Sequence, residues 1–274
     1  MLLRYNLIIL LGLFIAETAF AIHPAKDYIS TPAQSGMKYD SLNISTSDHF
    51  RITGWYCKPE SDTTNFLLIL AGGDAGNMSY DVPLAQFLTQ NFSIPVLLFD
   101  YRGFGSSQAF AYDSTAIGHP EYLTDLDAVV AFARKSYPAK KILIYGRSLG
   151  ASLAIVEGEL QSGIAGVIAE SPYASQAQLV KRIMEANPTA TLNPIASTKL
   201  EPLQNIEHFQ AKGLLLLHGM KEKFIIKEDV ESLMAAPTAN KKFYDFADCD
   251  HLEMPFKAPQ QFGEAIAEFL GNCP

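Results

Sequence analysis

The sequence predicts an α/β fold: a mostly parallel sheet flanked by helices. Three observations predict it. Short apolar runs recur along the chain, of the length that suits strands buried on both faces. Helical patterns with apolar residues three and four apart lie between them. Turn residues bound each run, so strand and helix alternate, which favours parallel pairing.

The chain opens MLLRYNLIILLGLFIAETAFAIHP. One Arg precedes an apolar run from Leu7 to Ile15, and Ala19-Phe20-Ala21 gives a small-x-small pattern. Residues 1–21 therefore read as a cleavable signal peptide for a secreted or periplasmic protein. A transmembrane anchor is the alternative, but the run is short for spanning and Glu17 interrupts it. No Cys follows the cleavage point to suggest lipid modification.

Residues 22–274 then fit one α/β domain. Residues 22–45 are polar and read as an extended lead-in. HFRITGWYCKP alternates and suggests a first hairpin. NFLLILAGG, SIPVLLFDYRG, KKILIYGRS, GVIAESP, KGLLLLHG and KKFYDF are the buried strands. YDVPLAQFLTQN, EYLTDLDAVVAFARKSY, the small-residue stretch Ser148–Leu160 and FKAPQQFGEAIAEFL are helices. Residues 178–208, punctuated by Pro188, Pro194 and Pro202, read as a small cap inserted over the strand ends.

Composition narrows the function. The 274 residues are 48% hydrophobic and 18% charged, with a net charge of −8. No basic patch serves nucleic acid, and the acidic balance disfavours a polyanionic substrate. The three Cys, at 57, 249 and 273, allow one disulfide with one thiol left over, without fixing the pair. No Cys or His spacing fits zinc, and no cofactor is expected.

The stretch KILIYGRSLGASLAIVEGEL carries the chemistry. A strand feeds YGRSLG and a helix leaves it. On such a turn the central Ser takes a strained backbone and the positions two before and two after it are crowded, so they need Gly. Gly146 and Gly150 fill those positions around Ser148. The turn lifts the hydroxyl to the C-terminal edge of the sheet. There the Leu149 amide, at the N-terminus of the next helix, favours a developing negative charge.

A Ser hydroxyl needs a base, and the base needs an acid to hold its tautomer, in the chain order Ser, acid, His. Of the histidines after Ser148, His208 falls in the cap and His218 ends a buried strand. His251, in FADCDHLEM between the last strand and the last helix, is the expected base. Glu222, in HGMKEKF, is the expected acid; Glu170 and Asp229 are the alternatives. The Gly-rich loop in LLILAGGDAGNM offers a second oxyanion donor, the amide of Asp74, whose carboxylate is expected to turn away.

With these residues in place, the chain resembles the α/β-hydrolase superfamily, in particular the BEM46- and ABHD13/ABHD17-like serine hydrolases. GGDAGN (72–77), DYRGFGSS (100–107), YGRSLG (145–150), HGMKE (218–222) and CDH (249–251) carry the resemblance, which covers nearly all of residues 65–270. It departs from the usual pattern at Gly72, where a His is usual, at Asp74 for Asn, and at Glu222 for Asp. Arg102 of DYRGFG is expected to pin its loop through charge-assisted bonds. The reading is a serine hydrolase of carboxylic esters or thioesters acting on a small acyl substrate, touching a membrane only through an uncleaved leader. A peptidase using the same residues, or a binding protein that has lost catalysis, are the rivals.

Overall fold

A computed structural model describes residues 22–193 and 197–273. The expected leader, residues 1–21, and Pro194 lie outside the described residues.

The chain runs β1 (His23–Pro24), β2 (Lys38–Ser45), β3 (Arg51–Lys58), β4 (Phe66–Ala71), β5 (Ala75–Gly76), α1 (Val82–Phe92), β6 (Val96–Phe99), α2 (Pro120–Ser136), β7 (Lys141–Arg147) and α3 (Leu149–Leu160). It continues through β8 (Gly166–Glu170), α4 (Gln176–Ala186), α5 (Pro202–Asn205), β9 (Gly213–Gly219), α6 (Lys227–Ser232), β10 (Asn240–Phe246), α7 (Met254–Lys257) and α8 (Pro259–Asn272). Eight strands form one sheet in the order β10-β9-β8-β7-β4-β6-β3-β2. β3 pairs antiparallel with both neighbours, and every other pair in the sheet is parallel. β1 and β5 form a separate parallel ribbon.

Side chains alternate across each strand, and here both faces are covered. Leu67, Ile69 and Ala71 of β4 enter one core; Leu68 and Leu70 enter the other. Likewise Leu214 and Leu216 of β9 face one way, and Leu215 and Leu217 the other. α2 and α3 cover the first face, while α1 and α8 cover the second. A fully buried Leu contributes about 1.5–3 kcal/mol, so the consecutive leucines of β9 hold it in the sheet interior.

Each buried strand lies in its predicted run. The hairpin forms as β2–β3, but its first strand occupies part of the expected lead-in. The segment between β8 and β9 carries α4, α5 and short 3-10 turns. No disulfide forms among the described residues: Cys57, Cys249 and Cys273 are all thiols.

Arg102 pins the loop after β6. Its guanidinium reaches Asp125 at 2.7 Å and Asp48 at 2.7 Å, and lies 4.2 Å above the centre of the Phe50 ring.

Candidate active site

The turn after β7 has the geometry its glycines suggest. Ser148 holds φ 53° and ψ −117°, outside the regions ordinary residues favour. A Cβ on Gly146 would meet the Gly150 carbonyl oxygen at 2.2 Å, and one on Gly150 the Ala71 carbonyl oxygen at 2.2 Å. The Ser148 amide donates to the Glu170 carbonyl at 2.9 Å, which ties the turn to the end of β8. The Ser148 carbonyl accepts from Ala151 and Ser152 and so starts α3. Leu149, first in that helix, has an amide with no intrahelical acceptor.

Around this turn the structure gathers residues from three other strand ends. His251 Nε2 is 3.0 Å from Ser148 Oγ, and His251 Nδ1 is 2.9 Å from Glu222 Oε2. The other Glu222 oxygen accepts from Ser171 Oγ at 2.6 Å and from the Gly219 amide at 3.1 Å. These bonds fix the carboxylate, whose side chain is 2% exposed. Burial lowers the His251 pKa, but the Glu222 hydrogen bond and charge, helped by Asp74 and Glu170, outweigh it; the net shift is upward.

The alternative acids lie elsewhere. Glu170 Oε2 accepts from Tyr145 at 2.9 Å and Arg147 at 3.0 Å. Asp229 pairs with Arg182. His218 is buried, 3.4 Å from Asp245 and 3.2 Å from the Ile225 carbonyl. His208 is exposed.

The Gly-rich loop after β4 reaches the turn: a Cβ on Gly73 would stand 3.7 Å from Ser148 Cβ. Asp74, next in this loop, is half-buried. Burial raises its pKa, opposed by the charge of His251, a bond from its own amide, and His23. The His23 amide donates to the Asp74 carbonyl at 2.8 Å.

Sequence reasoning missed the support beneath the site. Buried Arg147 donates to Asp81 at 2.5 Å, to Glu170 at 3.0 Å and to the Leu252 carbonyl at 3.1 Å. A charged residue ending an apolar strand was the available signal, because a buried guanidinium demands partners.

A nearly all-parallel sheet with a strained Ser turn, a hydrogen-bonded imidazole and a buried carboxylate at its strand ends defines an α/β-hydrolase. The chain belongs to the serine aminopeptidase, S33 family, whose model matches residues 66–212, and within the fold it is BEM46-like. It is 30% identical over 233 residues to the uncharacterized protein MT2364 of Mycobacterium tuberculosis (strain CDC 1551 / Oshkosh), covering 83% of this chain and 77% of that one. It is 22% identical to protein bem46 of Schizosaccharomyces pombe (strain 972 / ATCC 24843), covering 90% of this chain and 82% of that one. The Pyrococcus furiosus esterase Pf2001 superposes with TM-score 0.77 at 22% identity, covering 92% of this chain and 98% of that one.

Proposed function

We propose that this hydrolase cleaves carboxylic esters or thioesters of small acyl substrates through an acyl-enzyme on Ser148. The supporting observation is the unbroken relay from Ser148 Oγ through both His251 ring nitrogens to Glu222, at 3.0 and 2.9 Å. His251 takes the Ser148 proton as Oγ attacks the carbonyl carbon. The Leu149 and Asp74 amides hold the oxyanion. His251 then protonates the leaving alcohol or thiol. Water attacks the acyl-enzyme by the same route and releases the acid, restoring Ser148. Glu222 holds the Nδ1–H tautomer throughout. The proposed route to the secreted or periplasmic space rests on the sequence of residues 1–21 alone.

The family description favours a second reading, a peptidase using the same residues. A panel of acyl esters, thioesters and aminoacyl amides, run on wild type and Ser148→Ala, separates the two. Ester or thioester turnover lost in Ser148→Ala supports the first reading, and turnover confined to amides supports the second. No fluorophosphonate adduct on Ser148 at neutral pH overturns both.

A further inference from the structure

Residues 22–30 are laced to the Gly-rich loop that carries Asp74. The His23 amide donates to the Asp74 carbonyl at 2.8 Å, and the Ala25 amide to the Gly76 carbonyl at 2.7 Å. Asn77 Nδ2 reaches back to the carbonyls of Ala25 and Asp27 at 3.1 and 2.8 Å. Ser79 Oγ accepts from the Ile29 amide at 3.0 Å.

The same segment is fastened to the body of the domain. The buried Ile22 donates its amide to the Ala116 carbonyl at 3.2 Å, and Gly105 donates to the Ala25 carbonyl at 2.9 Å. Lys26 Nζ donates to the Gly103 carbonyl at 2.7 Å. Tyr28 OH donates at 2.6 Å to Asp100, whose other oxygen accepts the Met78 amide at 2.7 Å. Segment and loop are thus moored to one carboxylate.

The loop needs this support. Gly72, Gly73 and Gly76 give it a wide choice of backbone conformations, yet an oxyanion donor works only when aimed beforehand. Gripping the Asp74 carbonyl restricts rotation about that residue and so the direction of its amide.

We propose that residues 22–30 act as a positioning strap for the oxyanion loop, with His23, Ala25 and Asn77 as its clasps. The inference rests on the proposed role of the Asp74 amide. The strap touches no reacting atom, so its loss weakens transition-state binding and leaves substrate affinity nearly unchanged.

The test uses the full chain with His23→Pro and Ala25→Pro, each of which deletes one amide donor, and Asn77→Ala, which deletes the side-chain clasp. Steady-state kinetics on a small ester, affinity for a trifluoromethyl ketone and thermal melting are measured together. In each variant kcat is expected to fall about tenfold to a hundredfold, within the loss that follows removal of an oxyanion donor. Ketone affinity should fall in parallel, while KM stays within about twofold and melting shows a folded protein. Unchanged kcat in all three variants overturns the strap, as does a kcat loss no larger than the loss of folded protein. A wild type inert towards both ester and ketone overturns the hydrolase reading itself.

Discussion

Arg147 Nη2 donates to the Leu252 carbonyl at 3.1 Å, so the residue before the turn serine grips the residue after its imidazole partner. The same guanidinium bridges Asp81 and Glu170. One side chain therefore ties the α1 entrance, β7, β8 and the His251 loop together. Arg147→Met should lose about 3–5 kcal/mol of stability, because two buried carboxylates are left without their cation. Denaturant unfolding measures it. Arg147→Lys should recover little, since a lysine lacks the planar fork that reaches three acceptors.

Glu222→Gln keeps the shape of the acid but lets the amide donate to Nδ1, which favours the wrong tautomer. A kcat loss of about 10⁴ is expected, by analogy with the same change in a serine protease triad. A variant within tenfold of wild type on the best ester would remove Glu222 from the relay.

The pH profile follows from the raised His251 pKa. The base works only when neutral, so kcat/KM should fall on the acid side with a midpoint above the ordinary imidazole value of 6.5. Asp74 adds to that rise, so Asp74→Asn should move the midpoint down. A midpoint that stays in place in Asp74→Asn would show that this carboxylate does not act on His251.

Glu157 and Glu159 of α3 are buried, with Glu157 Oε1 and both Glu159 oxygens unpartnered among the described residues. Burial pushes each carboxyl up to about 8. Their folded pKa values exceed the ordinary 4.5, so the folded chain holds more protons between those values. Their contribution to stability is therefore fully present below about pH 4.5 and lost as pH rises through about 8. The double change Glu157→Gln/Glu159→Gln should flatten melting temperature over that window. A slope identical to wild type would rule these groups out as its source.

Much of the sheet could be read from the sequence because its strands are buried on both faces and write themselves as apolar runs. β2 escaped notice because it is an edge strand: in KYDSLNIS only Ile44 is fully buried, and its ladder to β3 holds it. α4 was hidden by the prolines that follow it, although Leu179, Val180 and Ile183 bury one face. Ser148, His251 and Glu222 were legible because each follows a recognisable strand. Arg147 with Asp81, and Ser171 with Glu222, were not; such partners meet only through the folded sheet. The bond from the His23 amide to the Asp74 carbonyl joins segments far apart in sequence, and no local pattern encodes it.

The three thiols carry a practical consequence. Burial pushes Cys57 up to about 12 and Cys273 up to about 11, and raises Cys249 as well. None supplies an appreciable thiolate near neutrality. The architecture draws on no covalent cross-link among them. Recombinant material purified under dithiothreitol should match material purified without reductant, and iodoacetamide should spare the native protein until it unfolds.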